Sequence, residues 1–135
     1  MNKKLPISCF VIAQDEADRI TNTIESVIDF VDEVIVIDSG STDGTQELAK
    51  QLGCKVFFNT WSGYGPQKRF GEDCARNEWL LNLDADEYLS DEIKSEILQT
   101  FDNNNDNVND NVIKTDSTND NKIWKINNIF VFINF

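Results

Sequence analysis

Two carboxylates spaced one residue apart follow an apolar stretch of the chain. Asp84 and Asp86 come directly after residues 79–83, which read Trp-Leu-Leu-Asn-Leu. Alternate residues at the end of a strand can both approach one cation where the chain turns. Mg²⁺ and Mn²⁺ take oxygen ligands of this kind and keep open positions for substrate phosphates. A solvated acidic turn is the other interpretation of the pair, but its place after an apolar strand favours a metal site that would neutralise a diphosphate.

A second carboxylate, Asp38, also ends an apolar run, residues 34–37, which read Val-Ile-Val-Ile. A carboxylate at that place can accept hydrogen bonds from a base N–H or a ribose hydroxyl. The small residues after it, 39–44, let a ligand approach the backbone. We favour a binding role for Asp38 over a purely structural one. For Asp15 and Glu16 a binding role and a structural role are both open, because the helix dipole also favours acidic residues at a helix start.

Residues 61–69 contain a local cluster of basic side chains beside aromatic ones. Lys68 and Arg69 could contact a phosphate or a nucleobase near a helix start. A surface loop with solvated bases is the alternative, and we favour it more for Arg69 than for Lys68. Trp61 and Tyr64 are open to a role in packing alone.

Strand and helix patterns alternate along the first hundred residues. Four β-branched residues in a row at 34–37 suit a strand buried on both faces, and apolar residues at helical spacing predict a first helix over about 16–30. For the later helices, Asp43 and Gln46 resemble a capping box, Pro66 suits a first turn and Ser90 can act as a cap. Repeated β-α-β units predict an α/β fold with a mostly parallel, Rossmann-like sheet and flanking helices. Such sheets bind ligands beyond the carboxyl ends of their strands, where the acidic residues described above fall.

The composition excludes several classes of protein. The chain has 135 residues, with 12 Lys and Arg against 24 Asp and Glu, a formal net charge of −12 and no histidine. This charge argues against a nucleic-acid partner, and the lack of histidine excludes histidine bases and metal ligands. Three cysteines without a C-x-x-C pair predict reduced thiols. We expect no signal peptide and no transmembrane segment, hence a cytoplasmic protein, with peripheral association at the inner face of a membrane left open.

The composition changes near residue 101. Among residues 102–135, 11 are asparagine, and a chain of this kind cannot bury enough apolar surface to offset its ordering entropy. We therefore predict a domain at 1–101 and a disordered, low-complexity tail at 102–135. The apolar end of the tail, residues 129–133, predicts either an edge strand or a sticky segment. The tail is rich in residues that have AT-rich codons. Two origins of the tail are therefore open: an inserted or frameshifted stretch, and a native terminus.

Three motifs in this order resemble the family-2 glycosyltransferases of the GT-A fold. They are residues 11–16 (Val-Ile-Ala-Gln-Asp-Glu), 34–45 (Val-Ile-Val-Ile-Asp-Ser-Gly-Ser-Thr-Asp-Gly-Thr) and 83–87 (Leu-Asp-Ala-Asp-Glu). Residues 61–68 (Trp-Ser-Gly-Tyr-Gly-Pro-Gln-Lys) look like the branch that adds glucose to the inner core of bacterial lipopolysaccharide or lipooligosaccharide. The resemblance covers about residues 5–101 and none of the tail.

The resemblance implies the nucleotide-binding half of an enzyme that transfers a sugar, with inversion, from a nucleotide donor to a glycan or glycolipid acceptor. The donor is expected to be UDP-linked, and UDP-glucose suits the branch. Asp38 would match the residue that holds the uracil or the ribose. The backbone of Ala13, Gln14 and Asp15 would line the same nucleotide pocket, and Lys68 would be a further nucleotide contact.

The same resemblance implies a divalent metal, Mg²⁺ or Mn²⁺. Asp86 would be the direct ligand, and Asp84 would lie nearer the ribose. The general-base carboxylate that should follow has no candidate in this sequence, so the chain reads as a truncated transferase that is inactive by itself. One alternative is a non-catalytic remnant or one half of a split enzyme. A weaker one is a haloacid-dehalogenase-type phosphatase with Asp84 as its nucleophile. The oligomeric state stays open.

Overall fold

Strands and helices alternate along the chain, as the sequence pattern predicts. The computed structural model describes residues 4–102, 121–126 and 129–134. The elements are β1 (Leu5–Ala13), α1 (Ile20–Val27), β2 (Val31–Asp38), α2 (Thr45–Gln51), β3 (Lys55–Phe58), α3 (Tyr64–Cys74), β4 (Trp79–Asp84), α4 (Asp91–Asp102), β5 (Asn121–Ile126) and β6 (Ile129–Asn134). Within these ranges no helix is long and apolar enough to cross a membrane.

One six-stranded sheet forms the centre of the fold, in the order β3-β2-β1-β4-β6-β5. Strands β1 to β4 are parallel, β6 is parallel to β4, and β5 is antiparallel to β6. The prediction of a mostly parallel α/β sheet is therefore confirmed. Because β1 to β4 point the same way, the loops that follow them meet at one edge of the sheet.

Helices cover both faces of this sheet. Helices α1, α2 and α4 lie on one face, where Ile24, Ala49 and Ile93 join one buried cluster. Helix α3 lies on the other face, where Phe10 of β1 forms a second cluster with Phe70 packed against it. Burial on both faces explains why β1 and β2 read as continuous apolar runs.

Helix α1 is shorter than the apolar spacing predicts. The carbonyl of Glu16 accepts the N–H groups of Arg19 and Ile20 in a turn before the helix. After it, the N–H of Phe30 donates to the carbonyl of Val27 at 2.9 Å in a second turn. The flanking residues are thus held in turns that do not continue the helix.

The predicted capping box at α2 is wrong. Its N-cap residue is Gly44, and Gln46 donates from Nε2 to Asp38 at 2.7 Å instead of reaching back to Asp43. The other two helix-start predictions are confirmed. Pro66 lies in the first turn of α3, and the Ser90 hydroxyl accepts the N–H of Ile93 at 3.3 Å at the start of α4.

The last part of the tail departs from the expectation of disorder. Residues 103–120, which hold most of the Asn-rich stretch, lie outside the described residues. Strands β5 and β6 follow them, and Ile129, Phe130 and Val131 of β6 pair with residues 80–82 of β4. An open strand edge presents unpaired N–H and C=O groups, and β6 satisfies them for β4. Residues 129–133 therefore form a strand as expected, but the prediction of an edge strand is wrong, because β6 lies between β4 and β5 and β5 is at the edge. The segments before and after residue 101 share one sheet.

Gly71 allows α3 to approach β1 closely. A Cβ atom at this position would lie 2.7 Å from Cδ2 of Phe10 and 3.0 Å from its Cγ. Phe10 is buried, so its ring has little room to move aside. Gly65 of the same helix has no heavy atom within 4 Å of such a Cβ, its chain neighbours aside.

We predict that Gly71→Ala destabilises the chain by about 1–2 kcal/mol. Overpacking a core costs typically 1–3 kcal/mol, which exceeds the gain of just under 1 kcal/mol from replacing glycine in a helix. Urea unfolding followed by circular dichroism measures the change, and Gly65→Ala is the matched control, expected to be neutral or to stabilise the chain by up to about 1 kcal/mol. Equal effects of the two variants would contradict the close approach.

Candidate functional site

A cavity of about 370 Å³ opens at the carboxyl ends of the parallel strands. Its volume falls within the range of small-ligand sites. Residues after β1, β2, β3 and β4 all contribute to its wall, as the parallel topology requires. The lining residues are Ile12, Gln14, Glu16, Ser39, Trp61, Tyr64, Asp84, Ala85 and Asp86.

Asp38 lies behind this cavity and does not line it. Its side chain is fully buried, and its carboxylate accepts the N–H groups of Gly40 at 2.9 Å and Ser41 at 2.8 Å. The Ser41 hydroxyl and the Gln46 amide donate to the same carboxylate. Burial opposes ionisation, yet the hydrogen bonds from Ser41, Gln46 and Gly40 hold the pKa of Asp38 below its ordinary value. The structure therefore places Asp38 as the residue that shapes the loop after β2.

Asp15 connects the loop after β1 with the loop after β2. Its backbone has a φ of 53°, a left-handed conformation that few residues other than glycine adopt. Its N–H donates to the Ser41 hydroxyl at 2.8 Å, and its carboxylate accepts the N–H of Thr42 at 2.8 Å. Its neighbour Glu16 donates its N–H to the Thr45 hydroxyl at 3.0 Å. The two loops are thus fixed relative to each other, and the Asp15 carboxylate serves that contact.

Gln14 and Ser39 present polar atoms to the cavity from these two loops. The Ser39 N–H donates to the carbonyl of Ala13 at 3.2 Å, which extends the pairing of β1 and β2 by one residue. The Ser39 hydroxyl donates to Oε1 of Gln14 at 3.0 Å. Our sequence reasoning placed Gln14 and Ala13 here but gave Ser39 no role of its own. The sequence feature that could have identified Ser39 is a small polar residue directly after a buried strand.

Asp84 and Asp86 lie together at the cavity, both exposed. The N–H of Asp84 donates to Oε1 of Glu87 at 2.8 Å, and the N–H of Glu87 donates to the Asp84 carbonyl at 2.9 Å. The hydroxyl of Thr23, on α1, donates to the carbonyls of Ala85, at 2.8 Å, and Glu87. The backbone of the turn is therefore held from both sides, while the two aspartates remain at the cavity wall.

Glu87 is a buried carboxyl group that our sequence reasoning did not single out. Burial raises its pKa to about 7, opposed by the hydrogen bond from the Asp84 N–H and reinforced by the charges of Asp84 and Asp86. Its place three residues after Asp84 was visible in the sequence, but its burial was not. Burial is the main cause of this shift, and the charges of Asp84 and Asp86 add to it, so a cation bound at these aspartates would favour the ionised form of Glu87.

The donor atoms at this turn fit a hard divalent cation. Asp84 and Asp86 supply carboxylate oxygens, the ligands that Mg²⁺ and Mn²⁺ prefer. In the described ranges there is no cluster of three or more acidic or cysteine side chains suited to a metal. A cation at this turn would therefore take further ligands from a bound phosphate or from water.

Lys68 is not brought to the cavity wall. It lies half-buried on α3, one turn after Tyr64, and is not among the lining residues. Residues four apart share one side of a helix, so Lys68 is on the same side of α3 as the lining residue Tyr64.

Comparison with known proteins shows which family this chain resembles. The family model described as Glycosyl transferase family 2 matches residues 8–135, which includes the tail that our resemblance left out. An uncharacterized glycosyltransferase of Rickettsia felis is 52% identical over 99 residues, covering 73% of this chain and 35% of that protein. The lipopolysaccharide core biosynthesis glycosyltransferase LpsC of Rhizobium meliloti is 36% identical over 94 residues, covering 66% of this chain and 34% of LpsC. The chain thus spans about a third of the length of these curated relatives.

Known structures show the same architecture. The crystal structure of S. aureus TarS 1-349 matches with a TM-score of 0.62 and 26% identity, covering 71% of this chain and 32% of TarS. Glucosyl-3-phosphoglycerate synthase from Mycobacterium tuberculosis, in complex with Mn²⁺, UDP and glucosyl-3-phosphoglycerate, matches with a TM-score of 0.55 and 26% identity, covering 61% of this chain and 35% of that one. The fold expected from the sequence motifs is therefore confirmed.

We predict that Asp38→Asn destabilises the chain by roughly 2–4 kcal/mol at pH 7, because it weakens several charge-assisted hydrogen bonds at once. The pKa of Asp38 is lower in the folded chain than its ordinary value of about 4, so its stabilisation is present above that pH and is lost as the pH falls through the folded value. Urea unfolding at pH 7 and at pH 3 should show a smaller difference between wild type and variant at pH 3. Asp18→Asn, at an exposed carboxylate, is the control, and an equal loss in both variants would rule out this role.

Proposed function

Because the chain belongs to glycosyl transferase family 2, we propose that it forms the donor-binding part of an enzyme that transfers a sugar from a nucleotide. The donor is a UDP-sugar, with UDP-glucose the first candidate, and the acceptor is a glycan of the lipopolysaccharide-core type. One observation carries the proposal. A cavity at the carboxyl ends of a parallel sheet is lined both by Asp84 and Asp86 and by the polar pair of Gln14 and Ser39.

The nucleoside occupies the part of the cavity formed by the loops after β1 and β2. The backbone of Ala13 and Asp15 holds its wall, and Gln14 and Ser39 offer hydrogen-bonding atoms to it. Asp38 acts from behind by fixing the loop that carries Ser39, because its own oxygens already accept hydrogen bonds from that loop. Lys68 serves as an outer contact that reaches the nucleotide from α3.

The diphosphate occupies the part formed by the turn after β4. Asp86 is the direct ligand of Mg²⁺ or Mn²⁺, and Asp84 lies nearer the ribose. The ion neutralises the departing diphosphate when it is bound. The solved complex of glucosyl-3-phosphoglycerate synthase with Mn²⁺ and UDP supports this pairing of metal and nucleotide within the same fold.

Inverting transfer also needs a general base to deprotonate the acceptor hydroxyl. The carboxylates described around the cavity have other tasks. Asp15 and Asp38 hold the loops, Glu16 is paired with Arg19, and Asp84 and Asp86 face the cation. We therefore propose that this chain binds the donor and that transfer takes place where a further segment or chain supplies the base.

The acceptor class rests on the relatives. LpsC, 36% identical over 94 residues, is a lipopolysaccharide core biosynthesis glycosyltransferase by name. One half of a split enzyme and a non-catalytic binding module are the alternatives in which the same donor site is kept. The phosphatase interpretation of Asp84 is not retained, because the family match covers residues 8–135.

We predict that UDP binds saturably in the presence of Mn²⁺ and that Asp86→Ala weakens this binding by more than about tenfold, or 1.4 kcal/mol. The reason is the loss of a carboxylate that holds the metal on the diphosphate. Isothermal titration calorimetry with and without Mn²⁺ measures both effects. Asp91→Ala, which removes an exposed carboxylate outside the cavity, should leave binding unchanged. No UDP binding at millimolar concentration, or binding indifferent to Mn²⁺ and to Asp86, would refute the proposed donor site.

A further inference from the structure

Trp61 and Tyr64 are exposed although both are large aromatic side chains. Their exposed fractions are 44% and 67%, and both line the cavity. Our sequence reasoning left open that they serve packing alone, and this degree of exposure is not that of core residues. Large apolar surface left in contact with water is unfavourable unless a partner covers it.

The two rings contact each other edge to face. Their centroids are 4.9 Å apart and their planes are inclined by 87°. In this arrangement the edge of one ring covers one face of the other, and the remaining ring faces stay free. A free aromatic face beside polar groups is suited to a flat ring, such as a nucleobase, which stacks on it.

The order of the strands places this pair at one end of the cavity. Trp61 and Tyr64 follow β3, Ser39 follows β2, Gln14 follows β1, and Asp84 ends β4. Strands β3 and β4 are three strand spacings apart in the sheet, roughly 14 Å, so the loop after β3 and the turn after β4 start from well-separated points on the sheet edge. A ligand whose diphosphate lies at Asp84 and which extends past Gln14 and Ser39 ends at the aromatic pair.

We propose that Trp61 and Tyr64 form the stacking surface for the nucleotide's base, and that they work with Ser39 and Gln14 as the subsite that selects it. This inference rests on the proposed donor site. The Ser39 hydroxyl donates to Oε1 of Gln14 at 3.0 Å, which directs the amide N–H₂ of Gln14 and the oxygen lone pairs of Ser39 to other partners. Uracil offers two carbonyl acceptors and one N–H donor, which match these groups. The base is then recognised by neutral hydrogen bonds and stacking, while the buried carboxylate of Asp38 is committed to its own loop.

Calorimetry on the 135-residue chain with Mn²⁺ and two probes tests this subsite. The probes are UDP and ribose 5-diphosphate, which is UDP without its base. Trp61→Ala and Tyr64→Ala should each weaken UDP binding at least about fivefold, the lower end of what base–aromatic stacking contributes. Both variants should leave the binding of ribose 5-diphosphate unchanged within about twofold. Trp61→Phe should restore most of the UDP affinity, because it keeps a ring face.

Phe58→Ala is the matched control, because Phe58 is 61% exposed at the end of β3 but does not line the cavity. A loss of UDP affinity in Phe58→Ala equal to that in Trp61→Ala would overturn the proposal, since it would indicate a general effect of removing exposed aromatics. Equal losses for UDP and ribose 5-diphosphate in Trp61→Ala would also overturn it. UDP binding that depends on Asp86 but not on Trp61 would overturn the base subsite alone and leave the donor site intact. No UDP binding by the wild type would overturn both.

Discussion

The hydrogen bonds to the buried carboxylate of Asp38 hold the rest of the site in place. A charge taken out of water is costly unless hydrogen bonds satisfy it. Here the backbone N–H groups of Gly40 and Ser41, the Ser41 hydroxyl and the Gln46 amide provide them. The loop after β2 is thereby folded around one side chain. Ser41 in turn accepts the N–H of Asp15, so the same interaction fixes the loop after β1 and leaves Gln14 and Ser39 at the cavity.

Two buried glutamates show how the fold separates structural charge from charge at the site. Glu33, near the amino end of β2, accepts hydrogen bonds from Ser8, Lys55 and the N–H of Arg76. Burial opposes its ionisation, but these partners lower its pKa below the ordinary value. Glu87, at the carboxyl end of the sheet, has its pKa raised to about 7, first by burial and also by neighbouring aspartates. The glutamate remote from the cavity is therefore stabilised in its charged form by its hydrogen-bond partners, whereas the buried glutamate beside the cavity is not.

Strands β1 to β4, their parallel direction and the acidic turn after β4 could be predicted from the sequence, because apolar runs and strand-end carboxylates are local patterns. Strand β5 could not, because it lies in the segment whose composition predicts disorder. The role of Asp38 could not. Asp38 pairs with Ala13 of β1, a residue of the buried cluster beneath α1 and α2, whereas Asp84 pairs with the preceding residue, Ile12, which lines the cavity. A difference of one residue in register turns one carboxylate inward and the other outward, and register depends on tertiary pairing. The hydrogen bond of Gln46, the burial of Glu87 and the exposure of the two aromatic side chains also depend on tertiary structure, which a local sequence pattern cannot predict.

We propose that one cavity holds a metal-bound nucleotide at the carboxyl ends of β1, β2 and β4. The decisive measurement is the paramagnetic broadening that Mn²⁺ causes in the ¹H–¹⁵N NMR spectrum, recorded with and without UDP. We expect broadening centred on the amides of residues 84–87, strengthened by UDP and extending to residues 13–16 and Ser39. Broadening centred on other acidic segments, such as Asp29 and Asp32, or broadening indifferent to UDP, would contradict it.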